Sequence, residues 1–170
     1  MPVTHHASPV TRTGIGYDSH RFSPGGPLVL GGIRIPYDYS LSGHSDGDAI
    51  AHALTDAVLG AAALGDIGEM FPDDDPTNRG ANSLEMLRAA VQRVEAKGWR
   101  VVNADVTVVA ETPHIRPHRD AMRASLAEAL GVTMADVMVK GKSNERMGWI
   151  GRGEGMAVIA VATVTGTAAE

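Results

Sequence analysis

The pattern of apolar and polar positions is clearest between residues 49 and 63, an alanine-rich run with strong helix propensity. At about 100° per residue, its larger apolar side chains share one stripe, which contains Ile50, Leu54, Ala57, Val58 and Ala61. The opposite face carries Asp48, His52 and Asp56. The pattern predicts a helix with Ser45 as its N-cap and Asp48 in its first turn. A polar ladder of this kind is also typical of a solvated face, so the stretch alone leaves both interpretations open.

Two further helices follow from the same periodicity. The first begins near Asn82 and Glu85, which resemble a capping pair, and ends at Gly98. The second is predicted from about His118 to Leu130, and a glycine follows it directly. Between the first two predicted helices, residues 65–76 are rich in Gly, Pro and Asp and predict an irregular loop that could close over a ligand.

Strands are predicted where β-branched residues concentrate or where short apolar runs are bounded by turn residues. These stretches are 14–22, a hairpin over 28–36, 99–110, 137–140 and 156–164. Their order with the helices predicts an α/β (α+β) fold, with a mixed four-stranded sheet covered by helices on one side and a small β-hairpin. We expect a single catalytic domain at residues 14–166, between a flexible N-terminal tail, 1–13, and a C-terminal tail, 167–170.

Composition narrows the classes of protein that fit. A chain of 170 residues with 44% hydrophobic residues is sized for one domain with a buried core. The formal charge of -5, without a Lys/Arg run, argues against a nucleic-acid partner. We find neither an apolar segment of membrane-spanning length nor the layout of a secretory signal. The absence of cysteine excludes disulfides and thiolate metal sites.

Two stretches carry a candidate metal centre. Asp18 and His20 lie two residues apart in a predicted strand, so their side chains share one face. His52 on the first helix adds a second imidazole. One carboxylate and two imidazoles form the kind of three-ligand set that leaves a fourth zinc position open for substrate. The Asp-x-His pattern by itself is weak, because it occurs in many strands that bind nothing.

Other catalytic patterns fit less well. The glycines of Gly151–Gly155 precede a strand instead of joining a strand to a helix, so they predict a tight turn and not a phosphate-binding loop. We also find no Ser/His/Asp or Cys/His arrangement that would supply a protein nucleophile.

The motifs taken together resemble the 2-C-methyl-D-erythritol 2,4-cyclodiphosphate synthase family of the non-mevalonate isoprenoid pathway. The resemblance runs in order, with compatible spacing, from about Gly14 to the last strand. It rests on Tyr17–His20, His44–Asp48 with His52, Leu64–Gly68, Phe71–Asp73, Asp105–Thr107 and Gly151–Gly155. Any one of these motifs is weak, whereas the ordered set is specific.

The resemblance implies a phosphorus–oxygen lyase that acts on a cytidine diphosphate ester carrying a further phosphate. The 2-phosphate of 4-diphosphocytidyl-2-C-methyl-D-erythritol 2-phosphate would attack the β-phosphorus and release CMP. The resemblance assigns zinc to Asp18, His20 and His52, and a second divalent ion, Mg²⁺ or Mn²⁺, to Glu145. It further implies a homotrimer packed around the sheets, with active sites between subunits, working in the bacterial cytoplasm or, less favoured, the plastid stroma.

The remaining site residues are also carried over from the resemblance. His44 and Ser143 would stabilise the transition state, His44 and Ser45 would contact phosphate, and Asp56 would support the site. The residues expected to contact substrate are Asp18, His20, His44, Ser45, Asp66, Ile67, Gly68, Phe71, Asp73, Asp75, Ala110, Pro113, His114, Ile115, Arg116, Lys142, Ser143, Asn144, Glu145, Trp149 and Arg152. Residues 71–75 would form a mobile flap, and Trp149 and Arg152 would border a cavity on the three-fold axis that can hold an isoprenoid diphosphate.

Two positions depart from the family pattern. His114 stands where members often carry Lys, and Lys142-Ser143 stands where they carry a Thr pair. Ser143 keeps a hydroxyl for phosphate binding, whereas Lys142 adds a charge without an assigned partner. Two other functions stay open for these residues: a metal-dependent phosphohydrolase that uses water, and a non-catalytic trimer that binds metal or an isoprenoid diphosphate.

Overall fold

A five-stranded mixed sheet forms the centre of the molecule in the computed structural model, which describes residues 9–72 and 74–166. The strands of the sheet lie in the order β4-β1-β7-β5-β6, and β2 pairs with β3 in a separate hairpin. Their bounds are β1 Val10–Pro24, β2 Leu28–Leu30, β3 Ile33–Ile35, β4 Tyr39–Leu41, β5 Trp99–Val109, β6 Val137–Lys142 and β7 Gly155–Gly166. The β5–β6 pair is parallel and the other pairs are antiparallel. The predicted mixed sheet and hairpin are confirmed.

The three longer helices pack on one face of this sheet, as predicted; they are α1 Ala49–Ala61, α3 Ser83–Glu95 and α4 Arg119–Leu130. Two short helices, α2 Ile67–Met70 and α5 Gly148–Gly151, complete the described α-helices. Asn82 caps α3 by accepting hydrogen bonds from two backbone N–H groups, and Gly131 ends α4 in the left-handed conformation. Within the described residues, none of the helices has the length and apolar character needed to span a bilayer.

Several predicted boundaries are wrong. The sheet has five strands instead of four, because the short segment β4 pairs with the end of β1, Phe22 opposite Leu41. β1 begins at Val10, so residues 10–13 belong to the sheet and not to a tail, since they pair with the end of β7. Residues 1–8 and 167–170 lie outside the described residues. The predicted irregular loop at 65–76 contains α2, which a cap from Asp66 stabilises.

The start of α1 also differs from the prediction. Asp48, not Ser45, is the N-cap, and its carboxylate accepts hydrogen bonds from the backbone N–H groups of Ile50 and Ala51. The same carboxylate accepts from Gly31 N at 2.8 Å and Gly32 N at 2.6 Å, in the turn of the β2–β3 hairpin. Asp48 is therefore fully buried instead of lying on a polar face. Burial raises the pKa of Asp48, against the effect of these N–H donors.

Two glycines let β1 lie directly against α1. A Cβ added to Gly14 would overlap the backbone of Ala57, and one added to Gly16 would overlap that of Ala53. This close approach places Asp18 and His20, on the same face of β1, beside His52.

The opposite face of the sheet exposes large apolar side chains. Ile15 and Tyr17 of β1 point away from the helices and are 71% and 57% exposed. Ile159 of β7, which pairs with Tyr17, is 40% exposed. Contiguous apolar surface of this kind is typical of a protein interface.

We predict that Gly16→Ala separates β1 from α1 and destabilises the protein by about 3 kcal/mol, as overpacked cores are destabilised. Chemical denaturation would measure this change. Gly60→Ala is the matched control, because Gly60 also lies in this region, on α1, and an added Cβ meets nothing within 4 Å among the described residues. The free energy of unfolding of the control should rise by up to about 1 kcal/mol, because Ala has a higher helix propensity than Gly. Equal stability of Gly16→Ala and the wild type would contradict the packing argument.

Candidate metal centre and flanking pockets

Three side chains from β1 and α1 converge at one point. Asp18 Oδ2 lies 2.8 Å from His20 Nε2 and 3.2 Å from His52 Nδ1, and the two imidazole nitrogens are 3.3 Å apart. All three side chains are half-buried, and their ligand atoms lie within 4.8 Å of one another. The predicted convergence is confirmed, and this group could hold a metal ion.

Each histidine uses its other ring nitrogen to contact the protein. His20 Nδ1 lies 2.6 Å from the backbone carbonyl of Ser42 and donates to it. His52 Nε2 lies 3.0 Å from Ser45 Oγ and 2.9 Å from Ser83 Oγ. Hydrogen bonds of this kind orient histidines that bind a metal, because they hold the ring and leave the nearer nitrogen free to coordinate.

The electrostatics of the cluster favour a bound cation. Burial would raise the pKa of Asp18, but hydrogen bonds and charge interactions with His20 and His52 lower it to about 2. Burial would lower the pKa of His20, but its contact with Asp18 and its hydrogen bond to Ser42 raise it. The pocket therefore stabilises a carboxylate and positive charge next to it.

The donor set fits a divalent transition metal. One carboxylate oxygen and two imidazole nitrogens are ligands of zinc-type ions, and three protein donors leave a position for substrate. The cluster opens into a cavity of about 250 Å³. This metal-side cavity is lined by Asp18, His20, Gly43, His44, Ser45, His52, Ile67, Gly68, Phe71, Asn78 and Met86.

The segment around α2 forms one wall of the metal-side cavity. Asp66 caps α2 through the backbone N–H of Glu69, and Asp56 Oδ1 accepts from Ile67 N at 2.8 Å. Burial raises the pKa of Asp56. Asp75 is exposed, accepts hydrogen bonds from Thr77 and lies outside the cavity lining, and Asp73 lies outside the described residues.

A second cavity, of about 380 Å³, lies where β5 and β6 end. This cavity is lined by Ala110, Glu111, Pro113, His114, Ile115, Arg116, Pro117, Arg119, Gly141, Lys142 and Ser143. All of the predicted substrate-contacting residues from 110 to 116 are among them, together with Lys142 and Ser143. We call it the β5–β6 cavity.

The loop after β6 presents Glu145 beside the β5–β6 cavity. Glu145 is exposed, and its Oε1 accepts a hydrogen bond from Ser143 Oγ at 2.9 Å. Glu145 and Arg146 both adopt positive φ, +49° and +59°, which is uncommon for residues other than glycine. Glu111 holds this conformation, because its carboxylate accepts from the backbone N–H groups of Asn144 and Arg146 at 3.0 Å.

Two further predicted residues lie near a third cavity, of about 390 Å³, at the end of β1. Trp149 lines it with Ser19, His20, Arg21 and Glu154. Arg152 is exposed and forms an ion pair with Glu154 at 2.6 Å.

The structure brings only some of the predicted site residues together in one chain. Within the described residues, the metal-side and β5–β6 cavities have no lining residue in common. Sequence reasoning missed Gly43, Asn78 and Met86 in the first cavity, and Glu111, Pro117, Arg119 and Gly141 in the second. Met86 carried only a core-packing signal, whereas Glu111 begins the predicted break after β5 and could have been recognised as a polar strand end.

The fold and the cluster together define an α/β protein with a three-donor metal centre open to a cavity. The sequence profile of the YgbB family matches residues 11–165. The chain therefore belongs to the YgbB family.

Two relatives of this chain share a name, and a solved structure resembles it. A protein of Gemmatimonas aurantiaca named 2-C-methyl-D-erythritol 2,4-cyclodiphosphate synthase is 64% identical over 90% of this chain and 92% of its own length. A synthase of the same name from Escherichia coli O1:K1 is 55% identical over 89% of this chain and 95% of its own. The solved structure of IspF from Plasmodium falciparum in complex with CDP matches with a TM-score of 0.81 at 31% identity, covering 93% of this chain and 97% of that one.

We predict that His52→Ala and Asp18→Asn each lose the bound divalent metal, because two donors hold an ion far more weakly than three. Elemental analysis of protein purified without chelator should find about one ion per wild-type chain at this centre. His118→Ala is the control, since His118 lies at the start of α4, outside the cluster. A His52→Ala protein that keeps the wild-type metal content would disprove the site.

Proposed function

We propose that this protein converts 4-diphosphocytidyl-2-C-methyl-D-erythritol 2-phosphate to 2-C-methyl-D-erythritol 2,4-cyclodiphosphate and CMP. An oxygen of the 2-phosphate forms a bond to the β-phosphorus, and the bond between that phosphorus and the oxygen bridging to the α-phosphate breaks. The bridging oxygen leaves with CMP, so no water is consumed. The observation that carries the proposal is the Asp18–His20–His52 centre, in a chain 64% identical to a synthase of that name.

The chemistry suits a site that positions the substrate and does not attack it. The substrate brings its own nucleophile, so the protein must align two phosphates and balance their negative charge. The protein itself carries a formal charge of -5. A divalent cation bound at the centre would polarise the phosphate and neutralise the charge that spreads in the transition state.

We assign zinc to the Asp18, His20 and His52 centre, because nitrogen and oxygen donors in a three-ligand set suit this ion. A second ion, Mg²⁺ or Mn²⁺, is assigned to Glu145 and the substrate phosphates. This assignment is supported by the chemistry of the ligands. Glu145 presents an exposed carboxylate, and hard cations bind carboxylate and phosphate oxygens together.

Phosphate and methylerythritol contacts are assigned to the metal-side cavity. His44 and Ser45 would bind the phosphate, since both line the cavity next to His52. Ile67, Gly68 and Phe71 would enclose the methylerythritol, with Asp66 at the start of α2. Residues 71–75 are proposed as the flap that excludes water from the reacting phosphates.

Cytidine is assigned to the β5–β6 cavity. The Plasmodium falciparum structure described above is a complex with CDP, which supports a nucleotide site in this fold. Arg116, Arg119 and Lys142 line the cavity and supply positive charge for a diphosphate.

His114 and Ser143 add polar groups to the same cavity. Ser143 is further proposed, with His44, to stabilise the transition state. Asn144 lies beside this group in the loop that Glu111 holds.

A homotrimer would complete the site. The metal-side and β5–β6 cavities are separate in one chain, and the open face of the sheet exposes Ile15, Tyr17 and Ile159. We propose that this face is buried between subunits and that the cytidine side of one chain meets the metal side of the next. Trp149 and Arg152 are proposed to face the three-fold axis, where an isoprenoid diphosphate could bind. The bacterial cytoplasm remains the predicted location.

Incubation with the substrate, followed by ³¹P NMR, tests the reaction. We expect the cyclic diphosphate and CMP, whereas a phosphohydrolase would give acyclic phosphates and a binding protein would give no turnover. Asp18→Asn, His20→Ala and Glu145→Gln should each lower CMP release about a hundredfold or more, because each removes charge stabilisation in the transition state. Arg93→Ala, an exposed charge change on α3, is the control. Near-normal turnover by the first two variants would overturn the assignment.

Subunit mixing tests the shared site. His52→Ala and Glu145→Gln chains, each inactive alone, would be folded together from an equal mixture. If every site combines residues of two subunits, about a quarter of the sites contain both native residues and the mixture regains about a quarter of wild-type activity. A mixture as inactive as its components would show that each chain carries a complete site.

A further inference from the structure

His52 makes contacts through both nitrogens of its ring. The contacts of Nε2, on the side away from Asp18, indicate a function for residues that are not metal ligands. We infer that Ser83 and Asp46 are positioning residues, which hold the His52 imidazole so that Nδ1 faces the metal. This inference rests on the metal site of the proposed function. It concerns Ser83 of α3 and Asp46 of the loop before α1, neither of which lines the metal-side cavity.

The contacts of His52 define which nitrogen must carry the proton. Nδ1 lies 3.2 Å from Asp18 Oδ2 and 3.3 Å from His20 Nε2, on the metal side. A neutral imidazole has one N–H group and one lone pair, and only the lone pair can bind a cation. The proton must therefore sit on Nε2 when Nδ1 coordinates, and Nε2–H requires an acceptor in this half-buried place.

Ser83 is made an acceptor by Asp46. Ser83 Oγ lies 2.9 Å from His52 Nε2 and 2.5 Å from Asp46 Oδ1. A carboxylate can only accept, so the Ser83 hydroxyl donates its single proton to Asp46 and turns a lone pair toward His52. The hydrogen bonds then run in one direction, from His52 Nε2–H to Ser83 Oγ–H to Asp46.

The Ser83 side chain has no competing duty in the helix that it begins. Ser83 is the first residue of α3, but Asn82 is the N-cap and accepts from the backbone N–H groups of Leu84 and Glu85. The backbone N–H of Ser83 also donates to Asp46 Oδ2, at 3.3 Å. Ser83 is fully buried, so its hydroxyl stays in one place.

Ser45 is the weaker candidate for this position. Its Oγ is also close to His52 Nε2, at 3.0 Å, but it lies 3.0 Å from Ser83 Oγ as well and accepts from Gly47 N. Ser45 lines the metal-side cavity and is only half-buried, so its hydroxyl can turn toward a ligand. Ser83 keeps its contact with His52 whichever way Ser45 turns.

The experiment measures zinc affinity on the full-length apoprotein by competition with a chromogenic chelator. Ser83→Ala leaves Nε2–H with a poorer acceptor and should weaken Zn²⁺ binding about ten- to a hundredfold, as loss of other outer-shell partners does. Asp46→Asn keeps a carbonyl acceptor but no charge, so the loss should be smaller and in the same direction. The double variant Ser83→Ala/Asp46→Asn should lose no more than Ser83→Ala alone, since both changes break one chain of hydrogen bonds.

Thr55→Val is the matched control. Thr55 lies on α1 three residues after His52, is fully buried, and donates to the carbonyl of Ala51 at 2.8 Å. Its replacement removes a buried hydroxyl from the same helix without touching the metal ligands. Zinc affinity should therefore stay at the wild-type value, even where the stability of the fold changes.

A spectroscopic measurement separates positioning from general destabilisation. In ¹⁵N-histidine NMR of the zinc-loaded protein, His52 should show a proton on Nε2 that exchanges slowly with water in the wild type and rapidly in Ser83→Ala. Wild-type zinc affinity with an unchanged Nε2 proton in Ser83→Ala would overturn the inference, as would equal losses in Thr55→Val. If Ser83→Ala does not fold, wild-type affinity in Asp46→Asn overturns it instead. Failure of the wild type to bind zinc would overturn the proposed function as well.

Discussion

The direct contact between β1 and α1 is the constraint on which the metal centre depends. Gly14 and Gly16 have no Cβ, so the backbone of α1 packs against the strand at a distance that any side chain would prevent. Asp18 and His20 follow these glycines on the same face of the strand, and their side chains therefore meet His52 of α1. A packing feature of the core, rather than a flexible loop, thus sets the separation of the three ligands, and rigid elements suit the precision that metal coordination demands.

The acidic character of the chain and its open sheet face have a common explanation in the proposed reaction. A protein with a formal charge of -5 must recruit cations to hold a substrate with three phosphoryl groups. The metal side could hold one ion, while Arg116, Arg119 and Lys142 provide positive charge in a cavity that one chain keeps separate. In the proposed trimer, the apolar face around Ile15 and Tyr17 is buried between subunits and the two sources of charge act on one substrate.

Periodic and local signals in the sequence predicted most of the fold and the metal ligands. The i, i+2 spacing predicted that Asp18 and His20 share one face of β1, because it follows from backbone geometry. Their meeting with His52 depends on the packing of β1 against α1, and it was the family resemblance that assigned the three residues to one ion. Short elements were missed: β4 and α2 are too brief for a periodic pattern. The cap of α1 was misassigned because the hydrogen bonds from Gly31 and Gly32 that favour Asp48 come from a distant turn. The packing of Ser83 against His52 likewise depends on tertiary structure, which no local pattern reports.

Asp48 connects the hairpin to the helix that carries His52. One carboxylate serves the N–H groups of Gly31 and Gly32 on one side and those of Ile50 and Ala51 on the other. If the hairpin moved away, a fully buried carboxylate would lose half of its donors in apolar surroundings, at a considerable cost in free energy. The hairpin is therefore tied to the first turn of α1, and this small element shares in the local stability of the helix that bears a metal ligand.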